Sequence, residues 1–298
     1  MADVTKLRPE QQAAVDAFHK LYYPFFGDTR WLGLPTAKCP MDLFVYQEMI
    51  FELQPDLIIE GGTFAGGSAV FMASVCQLVG HGEVLTIDVE GKPNPEARPQ
   101  FPRVTYLQGD ILSPEVVSRV ARLAQGRERV MVIFDDDHTR DHVLAEMKLY
   151  SRFVTPGSYL VIEDTNVNGH PVVPEFGPGP MEAVDLFLRE NDDFVIDRSR
   201  EKFLLSFNPK GFLRRLQPQE SSYKKDVIIS QQREELFDLR RQVEALQQQA
   251  GKAEETLDGI FNSTSWKFLQ RWRSARNLFL PEGSVRRKIY RRTLEKFR

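Results

Sequence analysis

The sequence predicts an α/β fold: a mostly parallel sheet of seven strands with helices on both faces. Three observations predict it. Between residues 57 and 207 the apolar runs are short and rich in β-branched and aromatic residues. Helical patterns lie between those runs, the order that builds parallel sheets. The runs are apolar on consecutive residues, as suits strands covered on both faces.

Residues 9–54 read as helical cover, with the loop "GDTRWLGLPTAKCP" between helices. Strands follow at "DLIIE" (56–60), "EVLTID" (83–88), "RVTYLQ" (103–108), "RVMVIFD" (129–135) and "SYLVIED" (158–164). "SAVFMASVCQLV" (68–79) and "DHVLAEMKLYSRF" (141–153) are crossover helices. After a further helix, "GPMEAVDLFLREN", the runs "FVID" (194–197) and "KFLLSF" (202–207) predict a closing antiparallel pair. From Leu236, apolar residues recur at Leu239, Val243, Leu246, Ala250, Ala253, Leu257 and Ile260. Spacing of alternating threes and fours is an a/d seam, interrupted by Gly251. It reads as a coiled coil that makes a homo-oligomer, with a single helix folded back on the body as the alternative. The expected organisation is helical cover over 1–55, the sheet domain over 56–212, linker and coiled coil over 213–265, and a basic amphipathic tail over 266–298.

Composition narrows the function. With 298 residues, 42% of them hydrophobic, the chain has ample material for one sizeable core. Two cysteines, Cys39 and Cys76, make no disulfide framework, and a cytoplasmic setting is expected. The polar N-terminus lacks the core of a signal peptide, and no run approaches the length of a membrane span. Residues 266–298 hold 11 Lys/Arg against 2 Asp/Glu, whereas the rest holds 28 against 40. An acidic body argues against nucleic acid as a partner. The basic tail, with its Trp and Phe, is a candidate for contact with an anionic membrane surface on the cytoplasmic side.

The chemistry gathers at strand ends. "IIEGGTFAGGSAV" (58–70) follows a strand and opens a helix, so its glycines allow a tight turn and a close ligand. The spacing of Glu60, Gly62 and Gly66 is not the dinucleotide fingerprint G-x-G-x-x-G. An acidic residue there would repel a pyrophosphate and suit an ammonium-bearing ligand such as S-adenosylmethionine. Glu60, Gly62, Thr63, Gly66 and Ser68 are candidate contacts to it. Asp88 can accept ribose hydroxyls and Asp110 can reach an adenine amino group; each alone is otherwise a solvated strand-end residue. Asp135 ends the fourth strand, and Glu163 and Asp164 end the fifth. Three converging carboxylates without a partner would be very costly, and a hard divalent cation, Mg²⁺, Mn²⁺ or Ca²⁺, would relieve them. His138 is placed to take a proton from a hydroxyl there, or else to support the loop. The Gly/Pro-rich stretch 166–184 reads as a lid or specificity wall, with His170, Glu175 and Phe176 as candidate substrate contacts, or else as a plain surface loop.

Together "WLGLPTAKCPMDLFVYQEMIFELQPDLIIEGGT", "DDDHTRDHVLAEM", "YLVIEDTNVNGHPV" and "FGPGPMEAV" resemble the rhamnosyl O-methyltransferase/cephalosporin hydroxylase family over residues 28–212. That family lies within the class I S-adenosylmethionine-dependent methyltransferases, so the resemblance implies a Rossmann-like methyltransferase fold. The E-x-G-x-x-x-G-x-S pattern also resembles the catechol-type methyltransferases, which implies donor contacts from Glu60, Gly62 and Ser68, with Asp88 on the ribose. The likeness to related sugar O-methyltransferases implies Mg²⁺ on Asp135, Glu163 and Asp164, with His138 as base. In such enzymes the metal chelates two neighbouring acceptor oxygens, which a vicinal sugar diol would match. The tail resembles C-terminal segments of bacterial surface-polysaccharide enzymes, and the expected acceptor is a bacterial surface glycan. A small glycosylated natural product is the alternative acceptor. A non-catalytic scaffold of a glycan-assembly complex is the alternative of another class.

Overall fold

The computed structural model describes residues 7–89, 98–222 and, from 239 to 289, all but 242, 244–245, 248–249 and 252–256. The chain divides into two units, Met1–Lys225 and Asp226–Arg298.

The first unit opens with α1 (Pro9–Tyr22), whose proline sits where a missing N–H costs nothing. A 3-10 turn, Tyr23–Asp28, leads into a small hairpin, β1 (Arg30–Trp31) and β2 (Leu34–Pro35). α2 (Pro40–Leu53) also starts on a proline and ends at Gln54 in the left-handed region. Then come β3 (Leu57–Gly61), α3 (Gly67–Val79), β4 (Glu83–Asp88), β5 (Val104–Gln108), α4 (Pro114–Ala124) and β6 (Val130–Phe134). α5 (Arg140–Tyr150), β7 (Tyr159–Ile162), α6 (Pro180–Glu190), β8 (Phe194–Ile196) and β9 (Phe212–Arg215) complete it.

The sheet order is β5-β4-β3-β6-β7-β9-β8. The first five strands in that order run parallel, and β9 is antiparallel to both β7 and β8. The chain winds outward from β3 in one direction and from β6 in the other. The carboxyl ends of these two neighbours therefore flank a crevice, where open α/β sheets bind ligands. β3, β6 and β7 are buried along their whole length. Alternate side chains serve opposite layers: Ile59, Val132 and Leu160 pack with Val117, Met147 and Phe187 on one face. Ile58, Met131 and Val161 pack with Tyr46, Met49 and Met72 on the other.

Two expectations are corrected. "KFLLSF" is not a strand: Leu205 and Phe207 sit in a separate small cluster with Cys39, against Tyr22, Tyr23 and Phe26. The last strand is instead "FLRR", Phe212–Arg215, so the sheet runs past the boundary expected at 212.

In the second unit, α7 (Thr264–Phe279) is capped by Ser263, whose hydroxyl accepts from Trp266 N–H at 3.2 Å. Of the expected seam, Leu239, Val243, Leu246, Leu257 and Ile260 are helical and exposed; Leu236 and Ala253 lie outside the described residues. Among the described residues no helix is long and apolar enough to cross a membrane.

Candidate active site

The turn after β3 fixes the site's geometry. Gly62 has φ +90°, and a Cβ there would lie 2.0 Å from the Asp135 carbonyl oxygen. Glycine thus lets this turn press against the end of β6. A Cβ on Gly67 would lie 2.1 Å from the Pro35 carbonyl, so the small hairpin rests on the start of α3. Gly66 caps α3 without a side-chain acceptor, which leaves the first-turn N–H groups of the helix available.

A cavity of about 1140 Å³ opens at this edge of the sheet. Ligand pockets commonly run to about 300–1,000 Å³, so this one has room for two ligands side by side. From the β3–β4–β5 side it is lined by Gly62, Thr63, Ser68, Asp88 and Asp110, and from the β6–β7 side by Asp135, His138 and Asp164. Tyr23, Phe26, Arg30 and Thr36 of the N-terminal cover add a further wall.

Most of the expected donor contacts reach this wall. Asp88 Oδ2 accepts from Phe64 N–H at 3.0 Å and from Arg98 Nη2 at 3.3 Å. Asp110 Oδ1 accepts from Leu112 N–H at 2.8 Å, and Thr63 shares a 2.7 Å hydroxyl bond with Thr86. Glu60 and Gly66 do not line the cavity. Gly66 faces the Tyr106 hydroxyl, and Glu60 is wholly buried beside the Ser68 and Thr86 hydroxyls. Burial pushes Glu60 up to about 7, while the Lys38 charge and the Ser68 and Thr86 hydroxyls hold it down. A carboxylate buried directly behind Ser68, which lines the cavity, puts negative charge beside the donor side and fits a positively charged ligand.

The three expected carboxylates converge, but not as one set. Asp135 follows β6, its N–H donating to Gly61 O at 2.9 Å; Glu163 follows β7, its N–H donating to Phe134 O at 3.0 Å. Asp164 adopts φ +53°, and its N–H donates to Asn208 Oδ1 at 3.1 Å. His138 Nε2 lies 3.3 Å from Asp164 Oδ2 and 4.0 Å from Asp135 Oδ1. These three residues bring ligand atoms within 4.8 Å of one another. Glu163, expected as a ligand, turns inward instead: its Oε1 accepts from Lys38 Nζ at 2.5 Å and from Tyr46 OH at 2.7 Å. Lys38 Nζ also donates to Asp135 Oδ2 at 2.6 Å. Burial pushes Asp135, Glu163 and Asp164 above the ordinary carboxylate range, against the pull of Lys38 and His138. Two carboxylates at the cavity wall and a third beside them form an oxygen donor set that fits a hard divalent cation, with the His138 imidazole next to it.

A second acidic group lies alongside. His142 Nε2 is 3.7 Å from both Asp136 Oδ2 and Glu146 Oε1. Burial, then the Asp136 charge, drives the fully buried Glu146 up to about 11, favouring its neutral form. His142 lines the cavity. The loop expected as a lid packs beside the His138 segment, Pro178 O accepting from Arg140 N–H at 3.1 Å, but its expected contacts do not line the cavity: His170 Nε2 lies 2.9 Å from Glu182 Oε1, and Glu175 and Phe176 are outside the cavity wall. Reading the sequence missed Lys38, Tyr46, Tyr23 and Arg30. The segment "WLGLPTAKCP" looked like a loop between helices, and no periodicity marks a lysine that turns inward.

Comparison with known proteins bears on this geometry. The family Rhamnosyl O-methyltransferase/CmcI matches residues 24–216. A rhamnosyl O-methyltransferase of Mycobacterium leprae (strain TN) is 40% identical over 213 residues, covering 69% of this chain and 92% of the relative. One from Mycobacterium tuberculosis (strain ATCC 25618 / H37Rv) is 40% identical over 208 residues, covering 67% of this chain and 84% of the relative. Among solved structures, an apo-structure of CmcI is 25% identical with a TM-score of 0.49, covering 64% of this chain and 77% of that one.

Proposed function

The chain belongs to the Rhamnosyl O-methyltransferase/CmcI family and is an S-adenosylmethionine-dependent O-methyltransferase; from that premise we propose that it methylates a sugar hydroxyl with the help of a hard divalent cation. The observation that carries this reading is one cavity with two chemistries. Its β3–β4–β5 side has the glycine turn, Ser68, Asp88 and Asp110 for the donor, and its β6–β7 side has Asp135, His138 and Asp164 for the acceptor.

Asp135 and Asp164 would hold the cation, with Glu163 as the third carboxylate beside them. When bound, a cation of this kind supplies positive charge that makes a nearby hydroxyl more acidic. The remaining work falls to the chain. Gly62, Thr63 and Ser68 seat the donor at the start of α3, and Asp88 and Asp110 orient its ribose and base. His138 takes the proton from the acceptor hydroxyl at Nε2. The acceptor oxygen attacks the donor's methyl carbon as the carbon–sulfur bond breaks, giving a methyl ether and S-adenosylhomocysteine. The walls from Tyr23, Phe26 and Thr36 exclude water and hold the two ligands in line, from which much of the rate follows.

The relatives are named for rhamnosyl methylation, and a rhamnose-bearing surface glycan is the acceptor we propose. α7 carries exposed Phe268, Trp272 and Phe279 among arginines, which supports peripheral contact with acidic lipid on the cytoplasmic face. The a/d seam supports self-association. A screen of rhamnosides, other glycosides and small natural products, read by mass spectrometry, tests the acceptor. A gain of one methyl on rhamnosides supports the reading. Methylation only of aglycones would replace it.

A further inference from the structure

Lys38 is the least expected residue at this site. It precedes α2 on a loop where Ala37 takes φ +50°, a left-handed conformation that non-glycine residues keep only where their surroundings enforce it. That turn sends the lysine inward, to 2% exposure. A buried ammonium is costly unless fully paired. Here it sits between two carboxylates, 2.6 Å from Asp135 Oδ2 and 2.5 Å from Glu163 Oε1. The pairing is braced on both sides. Tyr46, one helical stretch further along α2, donates to the same Glu163 oxygen, and Asn208 Nδ2 donates to Tyr46 OH at 3.2 Å. Asn208 also accepts the Asp164 N–H, so the brace reaches the next carboxylate.

We infer that Lys38 is the resident counter-cation of the carboxylate cluster, and that it sets how tightly the site binds a divalent cation. The inference rests on the proposed cation site at Asp135 and Asp164. Glu163, buried, and Asp135, at the cavity wall, would otherwise repel each other. The ammonium keeps them together when no cation is bound. The same positive charge opposes a divalent cation entering beside Asp135, because both draw on the same oxygen-rich corner. Lys38 therefore trades cation affinity for a cluster that is assembled in advance. Sequence spacing alone cannot reveal this, since Lys38 and Glu163 are 125 residues apart.

The test measures Mn²⁺ affinity by electron paramagnetic resonance on the full-length protein, with thermal unfolding alongside. Lys38→Met removes the charge and keeps the side chain's length. It should bind Mn²⁺ at least about tenfold more tightly than wild type, as expected for loss of a like charge at short range. Its unfolding temperature should fall without metal and recover in millimolar Mn²⁺. Lys38→Arg keeps the charge and should stay within about threefold of wild-type affinity. Lys38→Gln, which retains a hydrogen-bond donor, carries the same expectation as Lys38→Met if the latter is poorly soluble. Neutral variants that bind Mn²⁺ no more tightly than wild type would overturn the inference and leave the cation site standing. Neutral variants that stay unfolded even in millimolar Mn²⁺ would make Lys38 a folding residue and overturn it as well. A wild-type protein that binds no Mn²⁺ would remove the cation site itself, and the inference with it.

Discussion

Asp164 holds φ +53° beside an extended Glu163–Phe134 backbone bond, and the pair shows how single residues build this site. The left-handed turn lets two successive residues serve different partners. Glu163 goes inward to Lys38 and Tyr46, whereas Asp164 goes outward to His138, 3.3 Å away. His138 Nε2 lies 4.0 Å from Asp135 Oδ1 on the wall of the cavity, where the proposed acceptor would sit. His138→Ala should lower turnover about 10²–10⁴-fold and leave donor affinity nearly unchanged. Single-turnover kinetics and donor calorimetry check this; a rate within about twofold of wild type would assign the proton to another group. The carboxylates and His138 were legible because each follows an apolar run, so strand ends could be located from the sequence. The inward turn of Glu163 was not, because Asp164's conformation and Lys38's approach depend on segments far apart in the chain.

At the scale of elements, the β3–α3 turn and the docking of α1 carry the sharpest consequences. Gly62→Ala would put a methyl 2.0 Å from the Asp135 carbonyl, on a backbone that side chains rarely adopt. Either the turn or the end of β6 must move. Donor binding should weaken at least about tenfold by calorimetry, since both sides of the cavity share that contact. Unchanged donor affinity would mean the turn does not form the donor wall. α1 is tied down by His19, stacked on Phe207 at 5.3 Å, with its Nε2 3.0 Å from Asn166 Nδ2. Burial lowers His19 to about 4, with Asp16 opposing weakly. The unfolded chain takes up this proton near pH 6.5, but the folded chain only near 4. The stability from a neutral His19 is therefore fully present above about 6.5 and is lost as pH falls toward 4, by up to about 3 kcal/mol. Other buried acids titrate too, so the check is the difference in urea midpoint between wild type and His19→Gln. Converted to free energy, that difference should shrink or reverse from pH 7.5 to pH 5 by about 2 kcal/mol, because pH 5 still lies above the folded value of about 4. A difference independent of pH would mean His19 is not held neutral. The parallel strands were legible from their continuous apolar runs. "KFLLSF" misled because a short apolar run in a buried loop looks like a strand, and "FLRR" was missed because its two arginines break the pattern.

At the scale of the whole molecule, every residue lining the proposed site's cavity lies in the unit Met1–Lys225. Truncation after Lys225 should leave a soluble protein with full methyl transfer, since it spares β9 and every cavity residue. It should abolish sedimentation with acidic liposomes, which in the full chain should weaken as salt rises. Equal sedimentation of both forms would remove the membrane role, and an inactive truncation would show that the second unit completes the site. The charge division between body and tail was legible by counting. What the tail touches was not, because exposed Phe268, Trp272 and Phe279 suit a lipid surface, a partner or a second copy equally well on composition. The most direct test of the account is methyl transfer from labelled S-adenosylmethionine to a rhamnoside by metal-stripped protein. Transfer should be absent in chelator, return with Mg²⁺ or Mn²⁺, and stay absent in Asp135→Ala under every condition. Transfer that continues undiminished in chelator, or that survives in Asp135→Ala, would contradict it.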